Sequence, residues 1–208
     1  MREIWFAVLV GLTLAGASPA LAQAPPPVDT SALAVTSEDR VLGKPDAPIT
    51  IIEYASMSCP HCAHFATEVM PTLKEKWIDT GKAKLILRPY PLDALALRAE
   101  MVARCAPPER YYPLVETLFE TQDKWVVAKD WRAALARIAL LAGIGPKEFN
   151  ACLGNKALED QITESRLTAT QQLSVQATPT FFVNGTKFDG APTVEAFDQL
   201  LSGLAQKS

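Results

Sequence analysis

A Cys-x-x-Cys pair placed where a strand gives way to a helix is the feature that most limits the fold of this chain. The motif is Cys59-Pro60-His61-Cys62. The run before it, residues 49–54, is largely β-branched, aromatic and apolar, which predicts a central strand. After the motif, apolar residues recur at helical spacing, at Cys62, Phe65, Ala66, Val69 and Leu73. Since proline suits the first position of a helix, Cys59 is predicted to be the N-cap residue.

A thiol at the start of a helix is stabilised as a thiolate. The helix dipole and the free N–H groups of the first turn favour negative charge, and a dipole contribution of up to ~2 kcal/mol lowers a thiol pKa by about 1.5 units. A protonated His61 would add a nearby cation. Because a stabilised thiolate favours the dithiol form, the disulfide between Cys59 and Cys62 is expected to be oxidising, by roughly 30 mV for each pKa unit below ambient pH.

The N-terminus has the pattern of a cleavable secretory signal peptide at residues 1–22. Arg2 is followed by an uncharged, largely apolar stretch at residues 4–17, and Ala20-Leu21-Ala22 is a small-x-small cleavage site. An uncleaved membrane anchor is the alternative, although the stretch is short for a membrane span. Residues 23–40 are dominated by Pro, Ser, Thr and small apolar residues, and they are predicted to form a flexible tether.

The charge and the cysteine content limit the possible partners and compartments. A net charge of −3 argues against binding to nucleic acid and against electrostatic binding to a membrane. An export signal together with four cysteines indicates a compartment in which disulfides persist.

The residues around the motif predict a β-α-β unit. Val41-Leu42 is a candidate edge strand, and a strand ending at Tyr54 leads into the helix of the Cys motif, with a kink expected at Pro71. This helix ends near Ile78, and a second strand follows at residues 84–88. A strand-helix-strand order implies a parallel strand pair with a right-handed crossover.

The rest of the chain is helical and then returns to β-structure. Residues 92–174 show helical periodicity only. A strand at residues 180–183 and the hairpin signal Asn184-Gly185 precede a final amphipathic helix. This order predicts an α/β protein with a thioredoxin-like fold, formed by residues 41–91 and 175–208, into which an all-helical domain at residues 92–174 is inserted.

Glu53 is an acidic residue within an otherwise apolar predicted strand. Strand alternation places it on the same face as Ile49 and Ile51. It lies six residues before Cys59, close enough in a strand-loop-helix unit to exchange protons with Cys62 through water. Because buried unpaired carboxyls are costly and cluster at functional sites, a proton relay is predicted. The alternative is a strand residue that faces solvent.

Three features together resemble the DsbA family of periplasmic disulfide oxidoreductases, and most of all its alphaproteobacterial branch. They are Cys59-Pro60-His61-Cys62, the Glu53 that precedes it, and Thr178-Pro179-Thr180 before the late hairpin. The resemblance covers roughly residues 40–205. It implies a periplasmic dithiol oxidase that introduces disulfides into exported proteins. The redox-active disulfide Cys59–Cys62 would be its centre, with no further cofactor.

The resemblance also implies the role of each site residue. Cys59 would be the exposed sulfur that a substrate thiolate attacks, with Cys62 as its buried partner and His61 as the residue that tunes Cys59. Pro179 would be a cis-proline placed against the Cys motif, leaving the backbone of Thr178 free to pair with an extended substrate peptide. An ordinary loop proline is the alternative for Pro179.

A second disulfide and a redox partner follow from the same resemblance. Cys105 and Cys152 in the helical insert would be bonded to each other, and the alternative is two unpaired, buried thiols. The implied partners are unfolded or reduced exported proteins as substrates, and a DsbB-like membrane reoxidase that passes electrons to quinone. A monomer is expected.

Two other functions are compatible with parts of the pattern. A disulfide isomerase or reductase, kept reduced by a membrane electron donor, shares the threonine before Pro179. A metal binder could use Cys59, His61, Cys62 and His64. Residues so close together at the start of one helix cannot easily direct four ligands towards one tetrahedral centre, which argues against the metal site.

Overall fold

The computed structural model describes Met1 and residues 30–206. The predicted signal peptide beyond Met1, and residues 23–29 of the predicted tether, lie outside the described residues. The described residues form a five-stranded mixed sheet with the strand order β1-β3-β2-β4-β5. The strands are β1 (Val41–Leu42), β2 (Ile49–Ala55), β3 (Ala83–Pro89), β4 (Thr180–Val183) and β5 (Thr186–Phe188). β2 is parallel to β3, and the other pairs are antiparallel.

The helices follow the predicted order. Those that flank the sheet strands of the thioredoxin-like part are α1 (Pro60–His64), α2 (Met70–Leu73) and α9 (Val194–Ala205). Those of the insert are α3 (Ala94–Cys105), α4 (Pro108–Glu120), α5 (Gln122–Trp125), α6 (Trp131–Leu141), α7 (Pro146–Leu153) and α8 (Lys156–Gln172). The predicted thioredoxin-like fold with a helical insert is thus confirmed, and the short helix α5 is an element that periodicity did not predict.

The helix that carries the Cys motif is irregular around Pro71. Two π-helical turns, Phe65–Val69 and Lys74–Ile78, flank α2, and together with α1 they make one continuous helical segment. Pro71 has no N–H to donate to the Thr67 carbonyl, and a wider turn before it accommodates that loss. The irregularity expected at Pro71 therefore takes the form of π-helical turns.

The two faces of the sheet bury different sets of residues. One face packs against the Cys motif, α9 and the insert, and its centre is an aromatic cluster in which Phe181 lies 4.6 Å from Phe65 and 5.1 Å from Phe197 between ring centroids. The other face is covered by the N-terminal segment and the end of α8, with Leu33 and Leu173 in its core. Strand alternation decides which face each side chain joins.

Residues 30–40, whose composition predicts a flexible tether, pack against this second face. The Arg88 guanidinium on β3 donates to both carboxylate oxygens of Asp39, at 2.9 and 2.8 Å, and to the backbone carbonyl of Ala32. Both side chains of the ion pair are largely buried. A buried guanidinium needs such partners, because leaving it unpaired is costly. The described part of the predicted tether is therefore part of the folded body.

Cys105 and Cys152 form a disulfide that joins α3 to α7 within the insert. The two bonded cysteines are 47 residues apart in the sequence. Among residues 30–206, no helix is both long and apolar enough to cross a membrane.

The Cys105–Cys152 bond is expected to contribute substantially to stability. With a separation of 47 residues, the chain-entropy relation gives a contribution of about 4 kcal/mol. We expect the Cys105→Ala/Cys152→Ala double variant to lose up to that amount in the free energy of unfolding, measured by urea denaturation of the oxidised proteins. An unchanged free energy of unfolding would contradict a stabilising role for the bond.

Candidate active site

Cys59 lies at the point where the loop after β2 enters α1. It has extended backbone angles (φ −79°, ψ 120°), and Pro60 is the first residue of the helix, as the sequence predicted. The backbone N–H groups of His61 and Cys62 in the first helical turn lie close to the Cys59 sulfur. These donors have no partner within the helix and are available to a negative charge.

The pKa of Cys59 is lowered from its ordinary value of 9.0 to about 5. The largest cause is a hydrogen bond from the thiol of Cys62, which stabilises the Cys59 thiolate. The Thr178 hydroxyl and the N–H groups of Cys62 and His61 lower the pKa further, whereas burial opposes them. The imidazole of His61 is exposed. His61 lowers the pKa of Cys59 through its backbone N–H. Tuning of Cys59 by the imidazole ring stays a prediction.

Cys59 is buried, contrary to the expectation of an exposed sulfur. Its residue surface is 5% exposed, compared with 0% for Cys62. Across the site, the Cys59 sulfur lies 3.3 Å from the carbonyl oxygen of Thr178, to which it donates when protonated, although these residues are 119 positions apart in the sequence. The Thr178–Pro179 peptide bond is cis. A segment so remote in the sequence covers the sulfur, which the local pattern around the motif cannot reveal.

Cys62 has the opposite acid–base behaviour. Burial raises the pKa of its thiol far above the ordinary range, and the hydrogen bond to Cys59 and the charge of Glu53 raise it further. Both cysteines are free thiols in this structure. At neutral pH the pair therefore holds one negative charge, on Cys59, and one proton, on Cys62.

Glu53 lies in the middle of the sheet, next to Leu87 of β3 and Phe181 of β4. It is 3% exposed, which contradicts the solvent-facing alternative, and its Oε1 has no hydrogen-bond partner among the described residues. Burial raises its pKa to about 8, and the negative charge of Cys59 adds to this. The carboxyl is thus poised to hold or release a proton near neutral pH.

The helical insert holds the loop that leads to Cys59. Ser58 donates to Asp93 at 2.5 Å, and the same carboxylate caps α3 by accepting from the N–H of Ala96. Gln122, at the start of α5, donates to the carbonyls of Met57 and Cys59. Sequence reasoning missed these residues because each lies more than thirty positions from the loop it contacts. A polar Gln122 between buried Phe119 and Trp125 was the available signal.

A metal site is not supported by the geometry. Within the described ranges, no group of three or more His, Cys, Asp or Glu side chains could hold a metal ion. His61 and His64 are both exposed, whereas Cys59 and Cys62 are buried. The four candidate ligands therefore do not converge on one centre.

Comparisons with known proteins agree with this fold. The family profile described as Thioredoxin matches residues 35–202. A Rickettsia bellii protein, named as a protein-disulfide oxidoreductase, is 35% identical over 158 residues, which are 74% of this chain and 60% of that protein. Disulfide bond formation protein D of Bacillus subtilis is 29% identical over 154 residues, 69% of this chain and 67% of that protein.

A solved structure gives a fuller match. The crystal structure of Wolbachia pipientis alpha-DsbA1 superposes with a TM-score of 0.80 at 34% identity, covering 86% of this chain and 96% of that one. The chain spans about 60% of the length of the Rickettsia bellii relative. The chain belongs to the thioredoxin family, as one of its DsbA-like members.

The raised pKa of Glu53 makes stability depend on pH. The folded carboxyl keeps its proton up to about pH 8, whereas the unfolded one ionises near 4.5. The folded state binds more protons between these values, so the free energy of unfolding falls as the pH rises through this window. Glutamine does not ionise, so we expect the Glu53→Gln variant to lack this decrease. Its free energy of unfolding relative to that of the wild type should therefore rise by up to about 1.4 kcal/mol per pH unit between pH 5 and 8.

Urea denaturation at pH 5 and pH 7, with both proteins in the same redox state, measures the effect of Glu53→Gln. The matched control is Glu75→Gln, at an exposed position, which should leave the pH dependence unchanged. The free energies of unfolding of Glu53→Gln and wild type are compared at each pH. If their difference is the same at pH 5 and pH 7, Glu53 has an ordinary pKa.

Proposed function

We propose that this protein is a thiol:disulfide oxidoreductase that acts mainly as a dithiol oxidase on exported proteins, with Cys59–Cys62 as its redox pair. The observation that carries the proposal is the position of Cys59 at the start of α1, against the Thr178 carbonyl and one helical turn from the buried Cys62, and this position agrees with the lowered pKa of Cys59. At pH 7 the pKa of Cys59 lies about two units below the ambient pH, and this raises the reduction potential of the Cys59–Cys62 pair by roughly 60 mV. Because the dithiol form is stabilised, the disulfide readily accepts electrons from a substrate dithiol.

The first step is attack on the disulfide by a substrate thiolate. The substrate sulfur bonds to Sγ of Cys59, and the Cys59–Cys62 bond breaks. Cys62 leaves with the electron pair, and its high pKa means that it takes up a proton at once. Glu53, with a pKa of about 8, is the group proposed to supply that proton through water.

The second step resolves the mixed disulfide. A second substrate thiolate attacks the substrate sulfur, a disulfide forms in the substrate, and Cys59 leaves as a thiolate. A low leaving-group pKa favours this departure. The substrate dithiol has then lost two electrons and the Cys59–Cys62 pair has gained them. Return to the disulfide requires an oxidant, for which a DsbB-like, quinone-linked membrane reoxidase is the proposed class.

Substrate binding is proposed to use the segment opposite Cys59. The carbonyl of Thr178 contacts the Cys59 thiol, so a peptide paired with the Thr178 backbone would place its own sulfur next to Cys59. His61 and Pro60 are exposed beside the site and would border such a peptide. The proposed location is the periplasm, reached through the predicted signal peptide, and the proposed state is a monomer.

A disulfide isomerase or reductase is the second candidate function. The observation that favours it is the buried Thr178 hydroxyl beside Cys59, which lowers the pKa of that thiol. A group that stabilises the thiolate also favours the reduced enzyme on which isomerisation depends. The direction of electron flow separates this function from that of an oxidase.

Paired substrate assays test the proposal. The oxidised protein should form disulfides in a fully reduced model substrate well above the uncatalysed rate, and Cys59→Ser should return the rate to that background because no disulfide remains to be attacked. The reduced protein should have little activity on a scrambled, fully oxidised substrate. Preferential activity on the scrambled substrate would favour the isomerase, and inactivity on both substrates would refute the proposed chemistry.

A further inference from the structure

Gln122 is a buried side chain whose amide nitrogen donates to the loop of the redox motif. Its Nε2 donates to the carbonyl of Met57 at 2.8 Å and to the carbonyl of Cys59 at 3.0 Å. A side-chain amide nitrogen carries two hydrogens. Both are therefore used within three consecutive residues of the loop, and the opposite amide orientation would place an oxygen against two carbonyl oxygens.

The residue belongs to the helical insert. It is the first residue of α5, whose last residue, Trp125, is buried and donates from its indole to the Leu118 carbonyl at 2.7 Å. This contact fixes α5 to the end of α4. Gln122 therefore reaches the loop from a fixed position.

The Cys59 carbonyl is a sensitive place for such a contact. It also accepts from the N–H of Ala63 at 3.1 Å, which is the first hydrogen bond of α1. The N-cap residue has its own extended backbone angles while its carbonyl begins the helix. A second donor on that carbonyl restrains the rotation of the peptide plane after Cys59, and this plane sets where the sulfur lies relative to the first helical turn.

We propose that Gln122 is a positioning residue, which holds the Cys59 backbone so that its sulfur faces the N–H groups of the first turn of α1. The helical insert thereby does more than cover the site, since it sets the electrostatic environment of the reacting sulfur. This inference rests on the proposed redox function of Cys59. It adds a residue that acts through hydrogen bonds to backbone carbonyls.

The test is a comparison of substitutions at positions 122 and 77. Gln122→Met keeps a similar volume but has no donor, so it should raise the pKa of Cys59 by about half a unit to one unit. The glutathione equilibrium should shift towards the protein disulfide by about threefold to tenfold. Gln122→Leu also has no donor, and it should raise the pKa of Cys59 as Gln122→Met does.

Trp77→Phe is the matched control, because it removes the hydrogen bond from the Trp77 indole to Asp198 without touching α5 or the motif loop. It should lower the free energy of unfolding and leave both the pKa of Cys59 and the glutathione equilibrium unchanged. The pKa is measured from thiolate absorbance at 240 nm as a function of pH. Urea denaturation of each variant reports its stability.

The outcomes separate this inference from the proposed function. The ratio of the glutathione equilibrium constants of Gln122→Met and wild type tests the positioning role. The equilibrium constant of the wild type alone tests the oxidising character of the Cys59–Cys62 pair. An unchanged pKa of Cys59 in both position-122 variants would overturn the positioning role. An equal shift in Trp77→Phe would overturn it as well, because general destabilisation would then be sufficient.

Discussion

The hydrogen bond between the two sulfur atoms of the Cys motif governs the chemistry of this protein. The Cys62 thiol donates to the Cys59 thiolate, and this contact is the largest cause of the lowered pKa of Cys59. The contact depends on an unequal environment. Cys62 is sealed in the core, where ionisation is costly, whereas Cys59 lies at the helix start, among free N–H donors. The fold thus assigns the charge to one sulfur and the proton to the other.

Three parts of the chain, distant in the sequence, create this inequality. β2 brings the buried carboxyl of Glu53 behind the motif, and the loop before β4 places Thr178 over Cys59. The insert holds the loop from the side through Asp93 and Gln122. The sheet supplies a fixed frame, because β2 lies between two neighbouring strands and is buried on both faces. A reactive thiolate within a nearly closed site is the result.

Local patterns predicted the parts of this arrangement that local chemistry determines. The run of apolar residues before Cys59, Pro60 at the first helical position and the Asn184-Gly185 hairpin all have short-range causes, and the corresponding strands and helices are present. Alternation of β2 placed Glu53 on the same face as Ile49 and Ile51, and the structure decided between burial and the solvent-facing alternative. The covering of Cys59 by Thr178 did not follow, because a contact across 119 residues has no local signature. The anchoring of residues 30–40 by Arg88 was missed for the same reason, since composition alone gives no partner for a buried guanidinium.

The central claim is that Cys59 is an acidic thiol, and the direct measurement is the pH titration of its thiolate absorbance at 240 nm in the reduced wild-type protein. Cys59→Ser provides the baseline, because its remaining thiol at Cys62 has a pKa far above neutral. We predict a single transition with a midpoint near pH 5. A midpoint near the ordinary thiol value of about 8.5 would contradict the claim.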